Sequence, residues 1–280
     1  VAKRIKQDTS QEIQILEIQQ QHVQVAIVGT TPLILNRKSE KARRELLFPK
    51  GRKTAAEKAQ SLKHEPLVEY RASPYTLPDG PTLLGALATW FKGAMLTAAL
   101  DLPGVKKAQI GRLVRVEGER LPLYGTPQLH MSSVNTAGFP PTPDIRTRAI
   151  LPQWATFLTI TYPSPQLRQE SILHLLGAAG VFAGVGDYRA EKAKGNYGSF
   201  RLASANDPEL RAILKQGRDA QVEALNTPAC YDDESESLFK WFGTEFVLRG
   251  YEGARRVAEG AGSLIVTGVD DEDDEPTQAA

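Results

Sequence analysis

Residues 184–200 read GVGDYRAEKAKGNYGSF, a glycine-punctuated loop that carries cations and aromatics together. An amphipathic segment precedes it, with Ile172, Leu175, Leu176, Ala179 and Phe182 at helical spacing over residues 171–182, and a short strand-like FRL follows. The spacing of Gly184, Gly186, Gly195 and Gly198 is neither the GxxxxGK[ST] of a phosphate-binding P-loop nor the GxGxxG of a dinucleotide site. Glycines permit positive φ and close backbone approach. Backbone amides, Arg189, Lys192 and Lys194 can meet phosphate oxygens, and Tyr188 and Tyr197 offer faces for bases to stack on. The alternative is a hairpin-like loop whose charges are merely solvated.

Working outward, residues 22–28, HVQVAIV, alternate Val23, Val25 and Ile27 with polar or small residues, the period of a half-buried strand. SEKARRELL, residues 39–47, opens on an N-cap serine and predicts a short basic helix. Residues 48–75 lack periodicity and read as a mobile insertion. Residues 77–100, LPDGPTLLGALATWFKGAMLTAAL, predict one helix after an Asp-Gly-Pro turn, with Leu83, Leu87, Trp90, Phe91, Ala94 and Ala98 inward and Lys92 at the border. IGRLVRVEG and LPLYG predict strands, residues 126–143 a Pro- and Gly-rich excursion, and WATFLTITY at 154–162 a further strand. If residues 144–151, DIRTRAIL, are extended, Arg146 and Arg148 share a face.

That order predicts an α+β fold, a ferredoxin-like or RRM-like βαββαβ core with long insertions and a helical C-terminal extension. The core spans residues 1–205, with insertions at about 36–78 and 125–152. Residues 206–269 are the extension packed on it, including a strand-like SLIVTG, and 270–280 read as a disordered acidic tail.

Composition narrows the function. In 280 residues, 41% are hydrophobic and 24% charged, ordinary for a globular chain long enough to bury a core. A single cysteine, Cys230, excludes an internal disulfide and suits a reducing compartment. No apolar run is long enough to span a membrane, and VAKRIKQDTSQEI lacks the apolar region of a signal peptide, so the expectation is cytoplasmic, in a bacterial host cell. The net charge of +1 conceals six acidic residues in DDEDDE; without them 34 cations face 27 anions. Ten Lys or Arg against three Glu lie between Arg37 and Lys63. A basic body with an acidic tail suits a nucleic-acid binder whose tail competes for the basic surface or recruits a protein partner; a plain solubility tail is the alternative.

FKGAM, residues 91–95, is similar to the LKGALR-like signature of the RAMP superfamily, repeat-associated RRM-fold proteins that form backbone subunits of CRISPR effector complexes. The glycine-rich loop ahead of the last strand resembles that superfamily's second hallmark. TPLILN, SEKARREL, YRASPYTLPDG and the glycine loop also resemble uncharacterised proteins of tailed phages and prophages. The resemblance covers about residues 20–203 and implies binding of single-stranded RNA or DNA and assembly as a homo-oligomer or filament. By position it carries over Lys92, Gly184, Gly186, Tyr188, Arg189, Lys192, Gly195 and Gly198; Arg37, Lys38, Lys41, Arg43 and Arg44 join by chemistry alone. The eight residues DYRAEKAK between the glycines depart from the family's shorter GxGxxxGxG pattern, so the loop geometry departs with it.

Some relatives cleave RNA. His22, His64, His130 and His174 are scattered, none paired at metal-ligand spacing, and GxSxG, HExxH and CxxC motifs are absent. The expectation is no catalysis, no cofactor and no metal, with His130 or Asp144 as the residues to suspect if an RNA endonuclease were found. A protein-interaction module, an assembly factor or host-defence inhibitor on the same fold, is the remaining alternative.

Overall fold

The computed structural model describes residues 17–38, 40–48, 62–135, 140–192 and 195–249. Lys194, the SLIVTG segment and the acidic tail lie outside the described residues, as does the side chain of Lys41. The first half of the chain forms β1 (Gln19–Gly29), β2 (Leu33–Ile34), α1 (Glu40–Leu47), α2 (Pro66–Ala72), β3 (Tyr75–Thr76), β4 (Leu84–Leu87), α3 (Ala88–Ala98) and α4 (Lys107–Leu113). The second half forms β5 (Arg115–Val116), β6 (Arg120–Tyr124), β7 (Gln128–Asn135), β8 (Pro143–Leu151), β9 (Ala155–Ser164), α5 (Gln169–Phe182), β10 (Phe200–Ala203), α6 (Pro208–Ile213), α7 (Arg218–Asn226) and α8 (Asp233–Leu248).

The fold is α+β, built on antiparallel sheets. β1 is central in the larger one, whose order is β10-β1-β9-β6-β4-β3 with β5 beside β9. Its alternation works as read: Val23, Val25 and Ile27 are buried on one face. On that face α3 and α5 pack together, and Phe200 of β10 meets Phe91 of α3 edge-on at 5.9 Å and Trp154 edge-on at 6.2 Å. On the other face Val28 and Ala155 are covered by Leu210 and Ile213 of α6. A second antiparallel sheet, β2-β8-β7, stands beside the first.

Four sequence expectations change. The helix expected over 77–100 is a strand followed by a shorter helix, because Leu84–Leu87 zips between β3 and β6 and buries Leu84 and Ala86. Strand pairing there replaces helical bonds that Gly85 would have weakened. Residues 126–143 are not an excursion throughout, since Gln128–Asn135 pairs with β8 in register from Gln128↔Ile150 to Asn135↔Pro143. Ile110 belongs to α4, not a strand. Within the insertion read as mobile, Pro66–Ala72 is a helix whose Tyr70 is 0% exposed. The Tyr70 hydroxyl donates to Pro127 O (3.1 Å) and Ala224 O (3.0 Å), and burial pushes its pKa far up.

One buried side chain ties α7 to the larger sheet. Gln221 of α7 is 0% exposed. Its Oε1 accepts from the amides of Leu83 (2.8 Å) and Leu84 (3.0 Å), while its Nε2 donates to Leu123 O (2.8 Å) and Gly125 O (2.9 Å). It thereby satisfies four backbone groups on β4, β6 and the flanking turns. Gln221→Leu orphans them, and each orphan costs about 1–3 kcal/mol. A loss of at least about 3 kcal/mol in urea denaturation is therefore expected.

Candidate nucleic-acid interface

The β7–β8 register sets the site. His130 lies opposite Arg148, Ser132 opposite Arg146 and Val134 opposite Asp144, which places these residues on one face of the hairpin. Among the described residues, β8 has no neighbouring strand on its β2 side beyond Leu33 and Ile34, and side chains of α2 and Ser73 take that place. Ser73 Oγ, just past α2, accepts from Ala149 N (2.7 Å), and Glu69 Oε2 accepts from Thr147 N (3.4 Å). The chain after β2 runs alongside, with Leu35 N donating to Ala149 O (2.9 Å) and Arg37 N to Ser73 O (2.7 Å). Arg37 and Lys38 thus reach the same cleft as Arg146 and Arg148.

The glycine loop docks from the other direction. Gly186 (φ +79°) passes so close to β2 that a Cβ there would sit 2.4 Å from Leu33 Cδ1, and Gly198 (φ +73°) would clash with Val185 O at 1.8 Å. This close passage lets Asp187 N donate to Ile34 O (3.0 Å) and Asn36 Nδ2 donate to Asp187 Oδ2 (2.8 Å). Arg148 Nη1 lies 3.0 Å from the same Oδ2, and its guanidinium sits 5.5 Å over the Tyr188 ring. Tyr188 itself has φ +51°. The Arg148 side chain is only 7% exposed. Burial pushes its pKa down from the ordinary value while Asp187 opposes that.

The resulting cleft, about 660 Å³, is lined by Arg37, Lys38, Lys63, Arg146 and Arg148. Its carboxylates are paired within the site. Asp144 Oδ1 takes the Lys63 ammonium (2.6 Å) and His64 Nε2 (2.9 Å), while His64 Nδ1 meets Glu69 Oε1 (2.9 Å). Lys63, then His64, holds the Asp144 carboxyl below its usual range. With Glu45 and Glu65 also lining it, five cations meet four carboxylates, so the cleft is of mixed charge and not uniformly positive.

Other expected residues sit elsewhere. Arg189 faces a smaller cleft of about 160 Å³ between α3 and the loop, and its guanidinium is engaged by Glu191 Oε2 (2.7 Å) and Gly186 O (2.9 Å). Thr97 of α3 donates to the same carboxylate (3.1 Å). Lys92 is half-buried on α3 and Lys192 is exposed; neither lines the larger cleft. Tyr197 is half-buried, bridged to the Arg189 backbone. Arg43 and Arg44 project from α1. Lys63, His64, Glu69 and Asn36 are the residues that sequence reasoning missed; the one available signal was His64 among the cations of the insertion. No cluster of three metal-ligating side chains occurs among the described residues, and none of their helices is long and apolar enough to cross a membrane.

No protein-family model matches the chain, and the search of curated proteins finds no relative. Among solved structures it is distantly similar to a chain in the cryo-EM structure of the Type III-B Cmr-beta complex bound to cognate target RNA. That match has 14% identity and a TM-score of 0.35, covering 66% of this chain and 59% of that one. It is also similar to Cmr6 from Pyrococcus furiosus, at 10% identity and a TM-score of 0.34, covering 66% of this chain and 98% of that one.

The cleft's hairpin has a pH signature. Burial pushes the His130 imidazole down from its ordinary value of 6.5, against the pull of Asp232. Neutral imidazole is therefore the folded form; its contribution is complete above about pH 6.5 and is lost as pH falls below it. His130→Phe should shrink the drop in Tm between pH 7 and pH 5 in a thermal melt, whereas an unchanged drop would assign acid sensitivity to other groups.

Proposed function

We propose that this chain is a non-catalytic nucleic-acid-binding subunit that takes single-stranded RNA or DNA with weak sequence preference and assembles with further copies of itself. The observation that carries the reading is the convergence of Arg37, Lys38, Arg146 and Arg148, from segments far apart in sequence, in one cleft against the glycine loop. In our reading, β1, α3, β5, β9, α5 and β10 spell the β-α-β-β-α-β order of a ferredoxin-like core, and the hairpin and α2 are grips inserted into it. The resemblance of FKGAM and of the opening segments adds the RAMP-like, phage-borne setting. Phosphate contacts by these arginines and lysines account for binding without base readout.

The absence of catalysis is supported by how the suspect groups are spent. Both ring nitrogens of His64 face carboxylates, leaving neither a lone pair nor a proton for a substrate. Asp144 is engaged by Lys63, His64 and, at 3.7 Å, Arg146. His130 is buried against Tyr231 at 5.6 Å.

The test is fluorescence anisotropy with labelled single-stranded RNA, single-stranded DNA and duplex across a salt series. Arg37→Ala and Arg146→Ala should each weaken single-strand binding and lower the slope of log affinity against log salt by about 1. Unchanged affinity and slope in the double variant would remove the cleft from the interface.

A further inference from the structure

Four buried side-chain atoms of the hairpin lack a hydrogen-bond partner among the described residues: His130 Nδ1, Thr147 Oγ1, and Arg148 Nε and Nη1. Of these residues Arg148 and Thr147 line the cleft. Buried polar groups are nearly always satisfied, so the Arg148 donors call for a further acceptor. The Arg148 Nη1 contact with Asp187 is an ion pair without hydrogen-bond alignment, which leaves Nε and Nη1 of a 7% exposed guanidinium without an aligned acceptor. Arg146, two residues along the same strand face, supplies a second cation beside it.

The ligand chemistry follows from charge and size. A planar guanidinium with unmatched donors suits phosphate oxygens. A strand running right through the cleft would carry its next phosphates past Asp144, Glu65 and Glu69, which repel them. A strand that ends there avoids those carboxylates. A phosphomonoester also brings up to two charges and three acceptor oxygens to one point, more than an internal diester. About 660 Å³ is room for one terminal nucleotide.

The geometry points to a terminal-phosphate pocket: Arg148, aided by Arg146, holds the phosphomonoester at one end of a single strand. This rests on the strand-binding reading of the same cleft. The same chemistry is presented by a free mononucleotide, so the experiment has separate arms for the two sources. The wild-type chain is titrated with oligonucleotides of one sequence bearing a 5′-phosphate, a 3′-phosphate or only hydroxyl ends, and then with AMP. One phosphorylated end should bind at least about tenfold tighter than the hydroxyl-ended strand, since a charge-assisted bidentate contact is worth that much. Arg148→Lys should bring that ratio close to one, and Arg146→Gln should reduce it. Equal affinity for all three strands would overturn the pocket and leave strand binding standing. AMP bound with no affinity for any strand would overturn strand binding and keep the pocket for a free phosphomonoester.

Discussion

The Arg148 guanidinium sits between Asp187 and the Tyr188 ring, where the glycine loop, the second sheet and the segment after β2 meet. A charge this deeply buried is tolerable only with a counter-charge beside it, and Asp187 reaches that position only because Gly186 passes against β2 where no side chain fits. Loop, hairpin and first insertion therefore hold one another. Removing Asp187 alone would leave an uncompensated buried cation, a costlier event than losing a surface ion pair.

How far this was legible in the sequence depended on whether the signal was local. β1, β9 and α5 announced themselves through period two or period 3.6, and the glycines of residues 184–198 do serve close backbone passage. The common face of Arg146 and Arg148 followed from strand geometry alone. Tertiary substitutions were not legible. Glu69 and Ser73 stand in for a strand along β8, and Tyr70 anchors α2, in a stretch whose composition suggested a loop. Leu84–Leu87 has helical neighbours and helical composition, and only its pairing with β3 and β6 makes it extended. Nor could spacing reveal that Arg189 would be consumed by Glu191 while Arg148 became the buried group at the centre.

The mixed charge of the cleft shapes its function. A uniformly basic channel suits a polyanion of any length, whereas carboxylates among the cations restrict where phosphates can lie. His64, clasped between Glu69 and Asp144, joins α2 to β8. The interface is thus a positioned one, in which α2, the residue 35–38 segment and the hairpin must be assembled before the arginines face the same space.

The most direct measurement of the central claim is photo-crosslinking of a 5-iodouridine-substituted single strand to the full chain, with the attachment sites mapped by mass spectrometry. The account predicts adducts at Tyr188 and in peptides containing Arg37, Arg146 and Arg148. Adducts confined to α3, α4 or α8, with none on the hairpin or glycine loop, would contradict it.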